Sequence, residues 1–212
     1  AMQMLFEVVL FTASIWLCGN IGKTSQAANQ IALSLSSMTF MFAMGLSVTA
    51  MIRVANHKGL DDYKKLNTVA HSIFLMAIIV EIVFAVVFML GCQFFPAFFV
   101  NSEMALNATE IKEVLSISSK LLIVAAFFQI SDGIQVVVLG ALRGLQDVKV
   151  PMYLTFIAYW IVGFPISIYL GLYTNLKAEG VWIGLLAGLT AAAIMLYFRF
   201  RFLLKHHRSN EK

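Results

Sequence analysis

The sequence predicts an all-α polytopic membrane protein with six transmembrane helices, and three observations carry that prediction. Of its 212 residues, 60% are hydrophobic and only 12% are charged, whereas a soluble domain carries about 25% charge. Mean hydropathy is +0.86, and the apolar residues fall in runs of about 18 or more, the length a helix needs to cross hydrocarbon. Charged residues gather at the ends of those runs, so the net charge of +4 reads as membrane-flanking charge and not as a nucleic-acid surface. Ten-residue segments of alternating polarity are absent, which excludes an outer-membrane barrel.

The helices are expected at about 2–18, 27–56, 62–91, 109–145, 151–173 and 180–204. The first starts abruptly with no polar flank, which predicts that further residues precede it in the natural protein. Gly19 to Ser25 forms a polar turn before the second helix, which carries Ser34, Ser37 and Gly45 as close-packing positions and Met38, Met41, Met44 and Met51 as flexible apolar ones. The loop from His57 to Tyr63 places Asp61 and Asp62 at the start of the third helix, where acids are favoured. Cys92 to Asn107 is aromatic and irregular and reads as an interfacial loop. The fourth helix is too long for one crossing, and Glu110, Lys112, Glu113 and Lys120 make its start an aqueous extension. Pro151 opens the fifth helix, where its missing N–H costs little, and Pro165 sits mid-membrane as a hinge candidate. Gly180, Gly184 and Gly188 give the sixth helix a small-residue seam. Cys18 and Cys92 fall near helix ends on one side, so a disulfide between them stays open on sequence alone.

Topology follows from charge. Arg53, Lys58, Lys64, Lys65, Arg143, Lys149, Arg199, Arg201, Lys205, Arg208 and Lys212 fall on one side, against Lys23, Lys112, Lys120 and Lys177 on the other. Eleven against four predicts cytoplasmic termini in the inner cell membrane.

Three acids interrupt the apolar runs. Asp132 lies eleven residues before Arg143, about 16 Å along a helix and near mid-bilayer. Gln129 and Gln135 share its face. Glu7 reaches similar depth about 18 Å from the end of the first helix, with Gln3 and Ser14 on its face. A carboxylate at this depth is costly and must face protein, water or an ion. Glu7 and Asp132 are therefore the cation-binding candidates, and Gln3, Gln129, Gln135, Phe128 and Trp160 are candidates to line a substrate cavity. Phe127, Phe128 and Trp160 could add cation–π contacts. Glu81 is also intramembrane, but its helical neighbours Ala77, Ile78, Phe84 and Ala85 are apolar. It reads as structural or weakly functional unless a partner reaches it from another helix.

The run Asp132, Gln135, Gly140, Leu142, Arg143, Gly144, Asp147 and Pro151 resembles the fourth helix of the second lobe in multidrug and toxic compound extrusion (MATE) transporters of the NorM-like branch. Phe6-Glu7-Val8 followed by Leu10-Phe11 is similar to the opening helix of that lobe, and the stretch from Gly180 to Leu189 to its closing helix. The stretch from Ala27 to Ser34 resembles the family's Ala-Ala-His-Gln-Ile-Ala-Leu-Asn, with Asn29 and Ser34 as departures, so any protonation role of the histidine does not carry over to Asn29. The resemblance implies that 1–212 is one six-helix lobe of a twelve-helix transporter, with the N-terminal lobe absent from this chain.

What the resemblance implies about function is secondary-active multidrug export. Small cationic amphipathic compounds would exchange for Na⁺ or H⁺ by alternating access, with Glu7 and Asp132 binding the coupling ion and no further cofactor. An exporter of anionic lipid-linked precursors would need mid-depth Arg or Lys, and none is found there. A membrane scaffold would have no use for paired buried acids. No zinc-protease or nucleophile-elbow motif points to an enzyme.

Overall fold

Hydrophobic length dictates the architecture. The computed structural model describes residues 2–99 and 107–209 and contains no strand among them. Helix α1 spans Met2–Ile21, α2 Lys23–Gly59, α3 Tyr63–Gly91, α4 Phe95–Phe99 and α5 Ala108–Gly144. The chain continues through α6 (Lys149–Phe156), a π-helical segment (Ile157–Gly163), α7 (Phe164–Leu172) and α8 (Lys177–Ser209). The segment from α6 to α7 is one continuous crossing, Lys149–Leu172. With α2, α3, α5 and α8 it makes five runs long and apolar enough to span a bilayer, and α1 supplies a shorter sixth.

Several elements differ from the sequence expectation. The polar turn at Gly19–Ser25 is almost entirely helical, and Gly22 alone separates α1 from α2 at φ 155°, a conformation that side-chain-bearing residues avoid. The aromatic loop contains a helical turn, α4, in which Pro96 sits in the first turn and needs no N–H donor. The remaining loop residues, 100–106, lie outside the described set. Cys18 and Cys92 are both free thiols.

Helix α5 is the central pillar, packed against α2, α3 and α8. At 37 residues it is about 55 Å long, enough to cross the bilayer and project beyond it. Glu110 accepts from the Asn107 backbone N–H at 2.8 Å to cap its aqueous start. Asp62 caps α3 by accepting from the Lys65 backbone N–H at 3.0 Å, and that bond holds its carboxyl below the usual carboxylate range. Glycines bring the helices close. Gly184 and Gly188 of α8 lie against Ser167 and Gly163, so the sixth helix seats on the fifth crossing through the expected seam.

Two apolar cores stack along α5. One gathers Leu10, Leu121, Leu122, Phe128, Trp182 and Leu185, and the other Val54, Leu66, Phe74, Leu142 and Phe200. Large apolar side chains such as Met38, Met41, Leu75, Ile79 and Val83 project outward from α2 and α3, as lipid-facing surfaces require. The basic loops meet at one end, where Lys58 Nζ donates to Leu145 O at 2.8 Å and Arg199 pairs with Asp147 at 2.7 Å. Lys120 pairs with Glu179 at 3.1 Å at the other end.

Candidate functional site

Glu7 and Asp132 are 125 residues apart in sequence, yet they line one cavity of about 330 Å³ between α1, α2 and α5. Its walls are otherwise apolar, with Val8, Phe11, Leu33, Phe40 and Phe128, apart from Ser36 and Ser37. Both acids lie on the inward faces of their helices, at 9% and 5% exposure. Asp132 Oδ1 and Ser36 Oγ are buried without a hydrogen-bond partner, so at least two oxygens beside this cavity have unmet bonding capacity. Phe11 meets Phe128 edge-on at 5.9 Å, which gives the cavity a rigid aromatic flank.

The remaining sequence candidates are placed differently. Phe128 lines the cavity, whereas Phe127 faces outward. Gln3 lies toward the basic end, where its Oε1 accepts from Arg143 Nη2 at 3.3 Å. Gln129 is buried and its Oε1 accepts from Thr39 Oγ1 at 3.0 Å. Gln135 is fully buried beside Tyr159. Trp160 packs on Phe164 with ring centroids 5.3 Å apart. None of these four lines the cavity shared by the acids. Pro165 stands in the first turn of α7, directly after the π-helical segment. Asn29 accepts from Trp182 Nε1 at 2.8 Å, so it ties α2 to α8 as a structural contact.

The structure brings further residues to the neighbourhood of the paired acids. Glu81 is 1% exposed and packs on Gly133, where an added Cβ would stand 2.5 Å from its Cγ. It lies within electrostatic reach of Asp132, and both of its carboxylate oxygens lack a hydrogen-bond partner. Of the readings the sequence left open for Glu81, the packing favours a polar neighbour from another helix, since Asp132 comes from α5. Tyr159 is buried within reach of both Glu7 and Asp132. Arg143 lies within reach of Glu7. Its spacing carried a signal: eleven residues is close to three helical turns, so Arg143 shares a face with Asp132. Among the described residues no three His, Cys, Asp or Glu side chains converge as a metal-ion cluster.

An all-helical bundle with paired carboxylates facing a cavity at membrane depth has the architecture of a membrane-embedded protein with a buried polar site. The MatE family profile matches residues 1–169, and the chain belongs to that family. It is 36% identical over 205 residues to a probable multidrug resistance protein NorM of Agrobacterium fabrum, covering 97% of this chain and 43% of that protein. It is 37% identical over 212 residues to the multidrug resistance protein MdtK of Yersinia enterocolitica, covering 97% and 44%. The fold is similar to the crystal structure of the eukaryotic MATE transporter AtDTX14, with a TM-score of 0.84 at 20% identity over 99% of this chain and 46% of that one. A MATE crystal structure in the bent conformation gives a TM-score of 0.86 at 15% identity, covering 99% and 44%. The chain therefore spans less than half the length of these relatives. Both of the sequence relatives are named for multidrug resistance.

Proposed function

We propose that the chain is the C-terminal six-helix lobe of a twelve-helix multidrug exporter that moves cationic amphipathic compounds out of the cell in exchange for Na⁺ or H⁺. The observation that carries this reading is the convergence of Glu7 and Asp132 on one apolar cavity. A charged carboxylate there is poorly solvated, so it favours a state in which a cation or a proton sits beside it. A cationic drug brings its own charge and an apolar body, and Phe11, Phe40 and Phe128 offer faces to both. Drug and coupling ion would then compete for the same carboxylates. Each would bias the lobe toward a different opening of the transporter, which is the thermodynamic requirement for exchange.

The basic end carries the loops α2–α3 and α5–α6 together with the end of α8. By the positive-inside rule this end faces the cytoplasm of the inner membrane, with both ends of the chain on that side. The test is made on the complete transporter in proteoliposomes loaded with a fluorescent cationic dye. An imposed Na⁺ or proton gradient should drive dye movement against its own gradient. Movement that only follows the dye gradient, under both ion gradients, would contradict coupling.

A further inference from the structure

A second cavity, about 960 Å³, opens at the basic end between the start of α3 and the end of α8. Lys64 and His71 line one wall, and Tyr197, Arg201, Phe202 and Lys205 the other. Among the described residues no carboxylate lines it. The cations nearby are neutralised, Lys65 by Asp62 at 3.2 Å and Arg199 by Asp147 at 2.7 Å. Lys64, Arg201 and Lys205 have no such partner among the described residues. Three uncompensated positive side chains around one cavity repel each other unless an anion joins them.

The polar groups between them are already ordered. His71 Nδ1 lies 2.8 Å from Asn67 O, so Nδ1–H donates to that carbonyl. Nε2 then accepts from the Tyr197 hydroxyl at 3.4 Å. The Tyr197 oxygen in turn accepts from Arg201 Nη1, also at 3.4 Å. Arg201 is thus held by one N–H, and the rest of its planar fork stays free for bidentate phosphate recognition. The aromatic rim shows what carries the phosphate. Phe198 and Phe202 are 67% and 61% exposed beside these cations, at the level where aromatic rings meet the interface and acyl chains begin. A soluble anion has no use for an apolar rim, whereas a phospholipid needs both.

We infer that the cavity between α3 and α8 binds the headgroup of an anionic phospholipid, with Lys64, Arg201 and Lys205 on the phosphate and Phe198 and Phe202 against the first acyl methylenes. Zwitterionic headgroups bring their own cation next to the phosphate and fit a carboxylate-free pocket less well. The proposal is independent of the transport reaction and of which membrane face the basic end occupies.

The experiment uses the complete transporter in detergent, with native mass spectrometry counting bound lipid as phosphatidylglycerol or phosphatidylcholine is titrated in. Phosphatidylglycerol should bind about tenfold more tightly, a difference of about 1.4 kcal/mol. The Arg201→Gln/Lys205→Gln double variant should lose that preference. Lys112→Gln, at the other end of the bundle, should keep it. If the double variant does not fold, Lys64→Gln on the opposite wall serves alone and should weaken the preference. Equal binding of the two lipids, or a preference unchanged in both cavity variants, overturns the proposal. So does displacement of the lipid by inorganic phosphate alone, which would make the ligand a soluble anion. A cavity covered by the rest of the protein overturns it too; a cysteine at Lys205 would then resist thiol reagents in pure phosphatidylcholine.

Discussion

Glu81 has no polar neighbour on its own helix, yet its carboxylate lies against Gly133, next to Asp132. Two predictions follow from that contact. Gly133→Ala would drive a methyl group to 2.5 Å from Glu81 Cγ and 2.8 Å from its Oε1, so either the buried Glu81 side chain or α3 must shift. The variant should lose about 1–3 kcal/mol of stability, as overpacked cores do, and thermal unfolding in detergent checks it; an unchanged melting temperature would mean that the Glu81 side chain swings aside. Glu81→Gln keeps volume and should leave abundance intact while lowering dye export about tenfold or less, by removing one of the acids that set the charge around Asp132. Export equal to wild type would return Glu81 to a packing role. Sequence alone could not see this, because helical spacing reports neighbours on one helix only. Glu7 and Asp132 were legible because depth within an apolar run is itself a signal. Ser36 was not, since a serine among Ser34, Ser36 and Ser37 is an ordinary small residue until the helices are packed.

The fifth crossing is the element whose geometry departs furthest from an ideal helix. Pro165 has no N–H to offer the carbonyl of Ile161, one turn back. The preceding seven residues, Ile157–Gly163, run as a π-helix, the widened form often found at functional sites. Gly163 and Pro165 marked this crossing in the sequence as irregular, but the widened turn was not legible, because no hydrophobic period encodes i→i+5 bonding. The small-residue seam of α8 was legible for the opposite reason: Gly180, Gly184 and Gly188 recur every four residues and stack on one face. Tyr159, within reach of both site acids, lies inside the π segment, so a change in this helix reaches the cavity. Pro165→Ala should restore the missing donor and favour a straight helix. Dye export should fall several-fold with near-normal membrane abundance. Export and abundance both unchanged would make the proline a passive kink.

For the whole molecule, the proposed orientation rests on the eleven-to-four division of basic residues. In a variant whose half-buried Cys92 is replaced by serine, a cysteine at Lys64 should react with a membrane-impermeant reagent only from the cytoplasm. One at Lys177 should react only from outside, and the reverse pattern would invert the topology. The paired acids link that topology to transport. In the complete transporter, Glu7→Gln and Asp132→Asn should each reduce gradient-driven dye export at least about tenfold while membrane abundance holds. The double variant should be little worse than either single one, because groups that bind one cation act as a unit. The most direct measurement is therefore dye efflux from proteoliposomes for the wild type, the two single variants and the double variant, under imposed Na⁺ and proton gradients. Loss of gradient-driven efflux in both single variants, with no further loss in the double, is the predicted result; full efflux in either single variant, or losses that multiply in the double, would contradict a shared Glu7–Asp132 site.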